Sequence, residues 1–309
     1  MANIMITGAT GLLGRAVCAR LEGEHRLIAT GLSRVGAGQH SLDLIQAEQV
    51  RRFVASHKPE VIIHCAAERR PDVSEQDPQA TLALNLNATR TLAEAAKANG
   101  AWLLYISTDY VFDGTAPAYA EQDRPNPLNF YGESKWRGEQ IVAETVPDAA
   151  VLRLPILYGR VERLEESAVL VLLKSLLDKR PQALDHWAMR RPTSTADVAA
   201  AMAQLLRLRL QGRPLSGIYH FSAGETLTKY QMALALADLL GLDTAHLHPM
   251  DEPGDSAKRP HDCTLKCERL ARLGILPGLS FMAGVEAALA QSGPALAEAG
   301  VMPTGAAAQ

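Results

Sequence analysis

Five short runs rich in Val, Ile and Leu, at residues 4–7, 26–30, 61–65, 102–106 and 151–154, alternate with segments whose apolar residues recur at helical period. Helices are predicted over 12–22, 47–56, 80–99 and 131–145. This alternation leaves a chain few options. Each strand must reach a parallel neighbour through a right-handed helical crossover, and the apolar runs must be covered on both faces. The first half is therefore predicted to be a doubly wound α/β domain.

After Leu154 the regularity fades, and Pro155, Pro181, Pro192, Pro214, Pro253 and Pro260 punctuate shorter elements. One more strand is predicted at 217–221, returning to the sheet, and an amphipathic helix at 227–240, opened by Thr226 or Thr228. The predicted organisation is a dinucleotide-binding domain over 1–155, completed by segments near 193–222, and an interlaced, smaller C-terminal α/β substrate-binding region over 156–291. The Ala-, Gly- and Pro-rich stretch 292–309 has little to bury and is predicted to be a loosely ordered tail.

With 309 residues, 47% of them hydrophobic, the chain has ample material for a large core. The net charge of −3 is spread without a block of like charge, so neither nucleic acid nor a membrane surface is an expected partner. No charged leader precedes the strand at Ile4 and no apolar run is long enough to span a bilayer, so a cytoplasmic protein is expected. Cys18, Cys65, Cys263 and Cys267 are few and uneven, as suits a reducing compartment. Cys263 and Cys267 lie four apart, but no second pair or histidine cluster accompanies them, and no metal site is predicted.

Gly8-Ala9-Thr10-Gly11-Leu12-Leu13-Gly14 follows the first strand and opens the first helix. In that context glycines permit a tight turn and let the backbone approach a pyrophosphate at the positive helix end. The end of the second strand is where an acidic residue would hold the adenosine ribose of NAD, and here the chain reads Gly31-Leu32-Ser33-Arg34. A hydroxyl and a guanidinium suit a 2′-phosphate, so NADP(H) is predicted over NAD(H), unless Arg34 is simply a solvated loop cation. Asp43 either accepts from the adenine amine or caps the helix near Ala47. The predicted cofactor contacts are Gly8, Thr10, Gly11, Leu12, Leu13, Gly14, Ser33, Arg34, Asp43, Leu44, Ala66, Ala67, Tyr131 and Lys135.

Ser107, Thr108 and Asp109 close the central strand, where a doubly wound sheet opens its ligand crevice. A hydroxyl there can donate to a substrate carbonyl oxygen. Tyr131 and Lys135, four apart on a helix, share one face. An ammonium beside the phenol would favour the phenolate and bring its pKa toward neutrality. Thr108, Tyr131 and Lys135 are the predicted catalytic trio.

The glycine-rich turn and the Tyr131-x-x-x-Lys135 pair resemble the extended short-chain dehydrogenase/reductase superfamily. Within it, residues 105–114 (YISTDYVFDG) and 127–132 (PLNFYG) look like the dTDP-4-dehydrorhamnose reductase family. That resemblance implies a Rossmann sheet, NADP(H)-dependent reduction of a 4-keto nucleotide sugar, and a second half that binds the sugar nucleotide. The stretches 64–73 (HCAAERRPDV), 153–169 (RLPILYGRVERLEESAV), 185–187 and 227–230 are more similar to the branch containing the regulatory beta subunit of methionine adenosyltransferase. This second likeness implies a cofactor-binding regulator with a methionine adenosyltransferase partner. A homodimer is compatible with either. An epimerase or dehydratase holding NAD is disfavoured, because Asp109-Tyr110 stands where a dehydratase of the superfamily carries an Asp-Glu pair. Glu68-Arg69-Arg70 departs from the sugar-reductase pattern, and its arginines would meet phosphate, pair with Glu68 or be solvated. Arg153, Tyr158 and His186 are set outside the catalytic list, Arg153 because a structural ion pair is the commoner fate of a strand-end arginine.

Overall fold

In the computed structural model, which describes residues 1–254 and 257–301, strands and helices alternate from the start. The order is β1 (Asn3–Thr7), α1 (Leu12–Leu21), β2 (Arg26–Gly31), β3 (His40–Ser41), α2 (Ala47–His57), β4 (Val61–His64), α3 (Pro71–Gln76), α4 (Pro78–Leu82), α5 (Ala88–Asn99), β5 (Trp102–Thr108), α6 (Phe130–Thr145) and β6 (Ala150–Leu154). Then follow β7 (Leu157–Tyr158), α7 (Leu172–Leu177), β8 (Gln182–Asp185), β9 (Thr193–Ser194), α8 (Thr195–Leu210), β10 (Gly217–His220), α9 (Lys229–Leu240), β11 (Leu247–Met250), α10 (Glu268–Ala271), α11 (Phe281–Ala290) and α12 (Gly293–Glu298).

The strands assemble a seven-stranded sheet in the order β10-β6-β5-β4-β1-β2-β3, with all pairs parallel. Because successive side chains point to opposite faces, alternate residues feed two separate cores. Ile4, Ile6, Leu104 and Leu152 meet α1, α8 and α10 on one face, while Met5, Ile62, Leu103 and Val151 meet α2, α5 and α6 on the other. Strand order reverses between β1 and β4, so the carboxyl ends of these strands leave a crevice, as in any doubly wound sheet.

The helix expected over 80–99 is instead α4 joined to α5 through one π-helical turn at Ala83–Asn87. That turn sets Asn85 inward, where its amide bonds the backbone of Glu68 and the Ser134 hydroxyl. Helix α9 is opened by Thr228, which forms a capping box with Gln231, whereas Thr226 accepts a hydrogen bond from Arg191.

A third core, distinct from the two sheet faces, joins α7, α9, α11 and α12 around Tyr158 and Phe281. It corrects one expectation, because residues 292–301 are not loose. Helix α12 buries Leu296 completely and Ser292 donates to Ala288. The rest of the expected tail, 302–309, lies outside the described residues. No described helix is long and apolar enough to cross a membrane.

Candidate active site

A cleft of about 530 Å³ runs along the carboxyl ends of β1, β2, β4 and β5. Its wall includes Gly8, Thr10, Gly11, Leu12, Leu13, Gly14, Ser33, Asp43, Leu44, Ala66, Ala67, Thr108, Tyr131 and Lys135. Of the predicted site residues, Arg34 alone is absent from that wall.

At one end the chain turns sharply from β1 into α1. Gly8 adopts φ +66°, and a Cβ on Gly14 would lie 2.1 Å from the Gly8 carbonyl oxygen. The glycines thus hold the first turn of α1 hard against the end of β1, with Gly11, Leu12, Leu13 and Gly14 on the cleft wall and no side-chain cap at Gly11. A phosphate-bearing group fits such a cradle. Asp43 does not cap α2; its carboxylate accepts from the Ile45 amide and the N-cap is Gln46.

At the floor, Thr108 ends β5 and Tyr131 stands in the first turn of α6. Asn129 caps that helix by accepting from the Gly132 amide, and its own amide donates to the Lys258 carbonyl. Gly132 allows the approach, since a Cβ there would sit 2.2 Å from the Tyr110 carbonyl oxygen. The Tyr131 phenol is therefore brought close to Thr108-Asp109-Tyr110. Burial raises its pKa well above 10, the Asp109 charge adds to this, and hydrogen bonding with Thr108 and the charge of Arg69 oppose it. The expected lowering by Lys135 is not what the structure shows. Lys135 lies over the Tyr105 ring, and burial brings its own pKa down to about 7 against the opposing charge of Glu139.

Farther along, cations from distant parts of the chain line the other end. Arg69, Arg190, Lys229 and Arg259 are all on the wall. Arg190 is 4% exposed, donates to the carbonyls of Met189 and Pro260, and keeps a buried Nη2 without a partner among the described residues. Beside it Asp109 is raised to about 6 by burial, opposed by the Arg190 charge. Arg259 pairs with Asp72 at 2.6 Å, and burial together with Arg259 lowers the Lys229 ammonium pKa. In the Glu68-Arg69-Arg70 triplet, Arg70 forms a bidentate pair with Glu68 while Arg69 donates to the Glu165 and Glu166 carbonyls.

The family model for the RmlD substrate binding domain matches residues 1–293. The chain belongs to that family. Methionine adenosyltransferase 2 subunit beta of Bos taurus is 45% identical over 290 residues, spanning 93% of this chain and 87% of its own. A dTDP-4-keto-6-deoxy-D-glucose reductase of Streptomyces niveus is 32% identical over 277 residues, 88% of this chain and 91% of its own. The crystal structure of dTDP-4-dehydrorhamnose reductase from Bacillus anthracis, in complex with NADP, superposes with a TM-score of 0.82 at 27% identity, covering 94% of this chain and 98% of that one.

Within this RmlD-family fold, Arg153 stands apart from the cleft. It is 2% exposed and bonds Glu139 through two nitrogens, at 2.8 and 2.6 Å. Tyr158 packs into the third core and His186 bonds Thr228, so neither reaches the cleft wall. The cations Arg190, Lys229 and Arg259 escaped sequence reasoning because each reaches the cleft from its own segment of the second half, with no shared motif. Asn85, which steadies the loop at Glu68, carried no sequence signal either.

Proposed function

We propose that the protein is an NADP(H)-dependent reductase acting on the 4-keto group of a nucleotide sugar. The observation that carries this reading is that Thr108, Tyr131 and Lys135 line the same cleft as the glycine turn. A protonated phenol beside a carbonyl-binding hydroxyl is a proton donor, which is what the reductive direction requires. NADPH, when bound, supplies the hydride. Thr108 donates a hydrogen bond to the substrate carbonyl oxygen, and Tyr131 delivers the proton as charge develops there. Lys135 holds the nicotinamide ribose, and the glycine turn holds the pyrophosphate. Among the described residues, Arg69, Arg190 and Lys229 on the far wall suit a diphosphate-linked substrate.

The experiment is NADPH oxidation with dTDP-4-dehydrorhamnose, read by absorbance, for the wild type and Tyr131→Phe. Turnover in the wild type, lost in Tyr131→Phe while NADPH still binds, is the expected result. Equal turnover in both removes the assignment.

The 45% identity to methionine adenosyltransferase 2 subunit beta favours a second reading, a cofactor-binding regulatory subunit of a methionine adenosyltransferase. Tight NADPH binding without turnover, together with altered kinetics of that enzyme on mixing, is the outcome that selects it.

A further inference from the structure

Arg34, expected to meet a 2′-phosphate, is already engaged. It follows β2 with φ +58°, and its Nη1 bonds the Glu166 carboxylate and lies 3.3 Å from Glu162, while Nη2 reaches the Thr10 carbonyl at 3.4 Å. Glu166 belongs to the second half, yet its side chain is only 11% exposed because it is packed against the cofactor turn. It accepts from Arg15 Nη2 at 2.5 Å and from the Glu162 amide at 3.0 Å. Arg69, from the loop after β4, donates to the Glu166 carbonyl at 2.7 Å. Three arginines, from α1, the loop after β2 and the loop after β4, therefore converge on one acidic turn. Ser33, the other half of the predicted phosphate site, remains on the cleft wall.

We propose that Glu166 sets the dinucleotide selectivity of this protein by competing with the adenosine 2′-phosphate of NADP(H) for the Arg34 guanidinium. The proposal deepens the cofactor reading given above and rests on it. A phosphate monoester is a strong bidentate partner for a guanidinium. Here it must displace Glu166 and Glu162 from Arg34 or share Arg34 with them. The 2′-hydroxyl of NAD(H) makes no such demand on Arg34. Arg34 alone would give a strong preference for NADP(H), and Glu166 moderates it so that both dinucleotides bind.

The test is a fluorescence titration giving the Kd for NADPH and for NADH in the wild type, Glu166→Gln, Arg34→Ala and the double variant. Glu166→Gln is expected to raise the ratio of NADPH to NADH affinity about tenfold, and in the Arg34→Ala background the same change is expected to move the ratio less than about twofold. An unchanged ratio in Glu166→Gln, or an equal rise in the Arg34→Ala background, overturns the competition while leaving NADPH binding by the wild type intact. Failure of the wild type to bind either dinucleotide overturns the cofactor reading and this inference with it. Glu166→Gln also loses part of its bond to Arg15, so Glu162→Gln, at a more exposed position, serves as the second variant. Its ratio is expected to rise about threefold, and no rise counts against the proposal.

Discussion

The Lys135 ammonium nitrogen lies 4.0 Å from the centroid of the Tyr105 ring, with both side chains buried. A ring face offers a cation only its quadrupole, which replaces part of the lost hydration. Burial accordingly dominates and the ammonium pKa falls to about 7, with Glu139 and Cys65 pulling the other way. The same nearness makes Tyr105 the support on which Lys135 rests at the cleft wall.

This depressed pKa ties Lys135 to stability. Between about pH 7 and the ordinary lysine value of 10.5, the unfolded chain holds a proton that the folded protein lacks. Stability therefore falls as pH is lowered from 10.5 to 7, and the penalty is constant below that. Lys135→Met removes it. The variant is expected to be more stable than the wild type at pH 7, by on the order of a few kcal/mol, and the difference should close toward pH 10. Urea denaturation of the apo protein at several pH values measures this, and parallel pH profiles for the two proteins would refute it.

Glu139 and Arg153 form an ion pair with side chains only 4% and 3% exposed, which Ser107 extends by donating to Glu139. Removing one partner strands the other charge in the core. Arg153→Met is expected to cost about 3–5 kcal/mol, and the double variant Glu139→Leu/Arg153→Met considerably less than the single. Equilibrium unfolding of the three proteins provides the comparison, and a double variant as unstable as the single contradicts it.

The close approach at Gly14 gives a third expectation. A Cβ there meets backbone atoms of Gly8 at 2.1 and 2.7 Å, whereas one on Gly11 comes no nearer than 3.2 Å to the Gly8 carbonyl oxygen. Backbone cannot rotate aside as a side chain can. Gly14→Ala should destabilise the apo protein by about 1–3 kcal/mol through overpacking, and Gly11→Ala by clearly less. Thermal melting without ligand separates this steric effect from any loss of cofactor contact; similar melting temperatures for the two variants would remove the argument.

Much of this architecture is legible in the sequence, for reasons that can be named. The strands of the first half are short, apolar and bounded, and their neighbours keep helical period, so β1, β2, β4, β5 and β6 all emerge within a residue or two of their expected limits. Gly8 to Gly14 are recognisable because strand, turn and helix are contiguous. Helix α8 was hidden because it buries Val198, Ala199, Met202, Leu205 and Leu206 between α1 and the sheet, which blurs the polar stripe by which a surface helix is recognised. The ends of the cleft depend on pairings between remote residues. Arg34 beside a serine reads as a phosphate ligand until Glu166, 132 positions away, is brought against it. The Tyr131–Lys135 spacing gives a common helix face, but it is Tyr105 on a neighbouring strand that receives the ammonium.

The pairing of β10 with β6 has a topological consequence. The chain leaves the sheet at Leu154, builds β7, α7, β8, β9 and α8, and returns at Gly217 to extend it. Closing so long a loop costs chain entropy before any strand contact repays it, so completion of the sheet is a slow, non-local event. Arg190 lies inside that loop and Thr108 outside it, and Arg190 is held by backbone hydrogen bonds with Leu227, beyond the returning strand. The cleft wall that joins Thr108 to Arg190 is therefore assembled from segments far apart in the chain, and completing it is a non-local event.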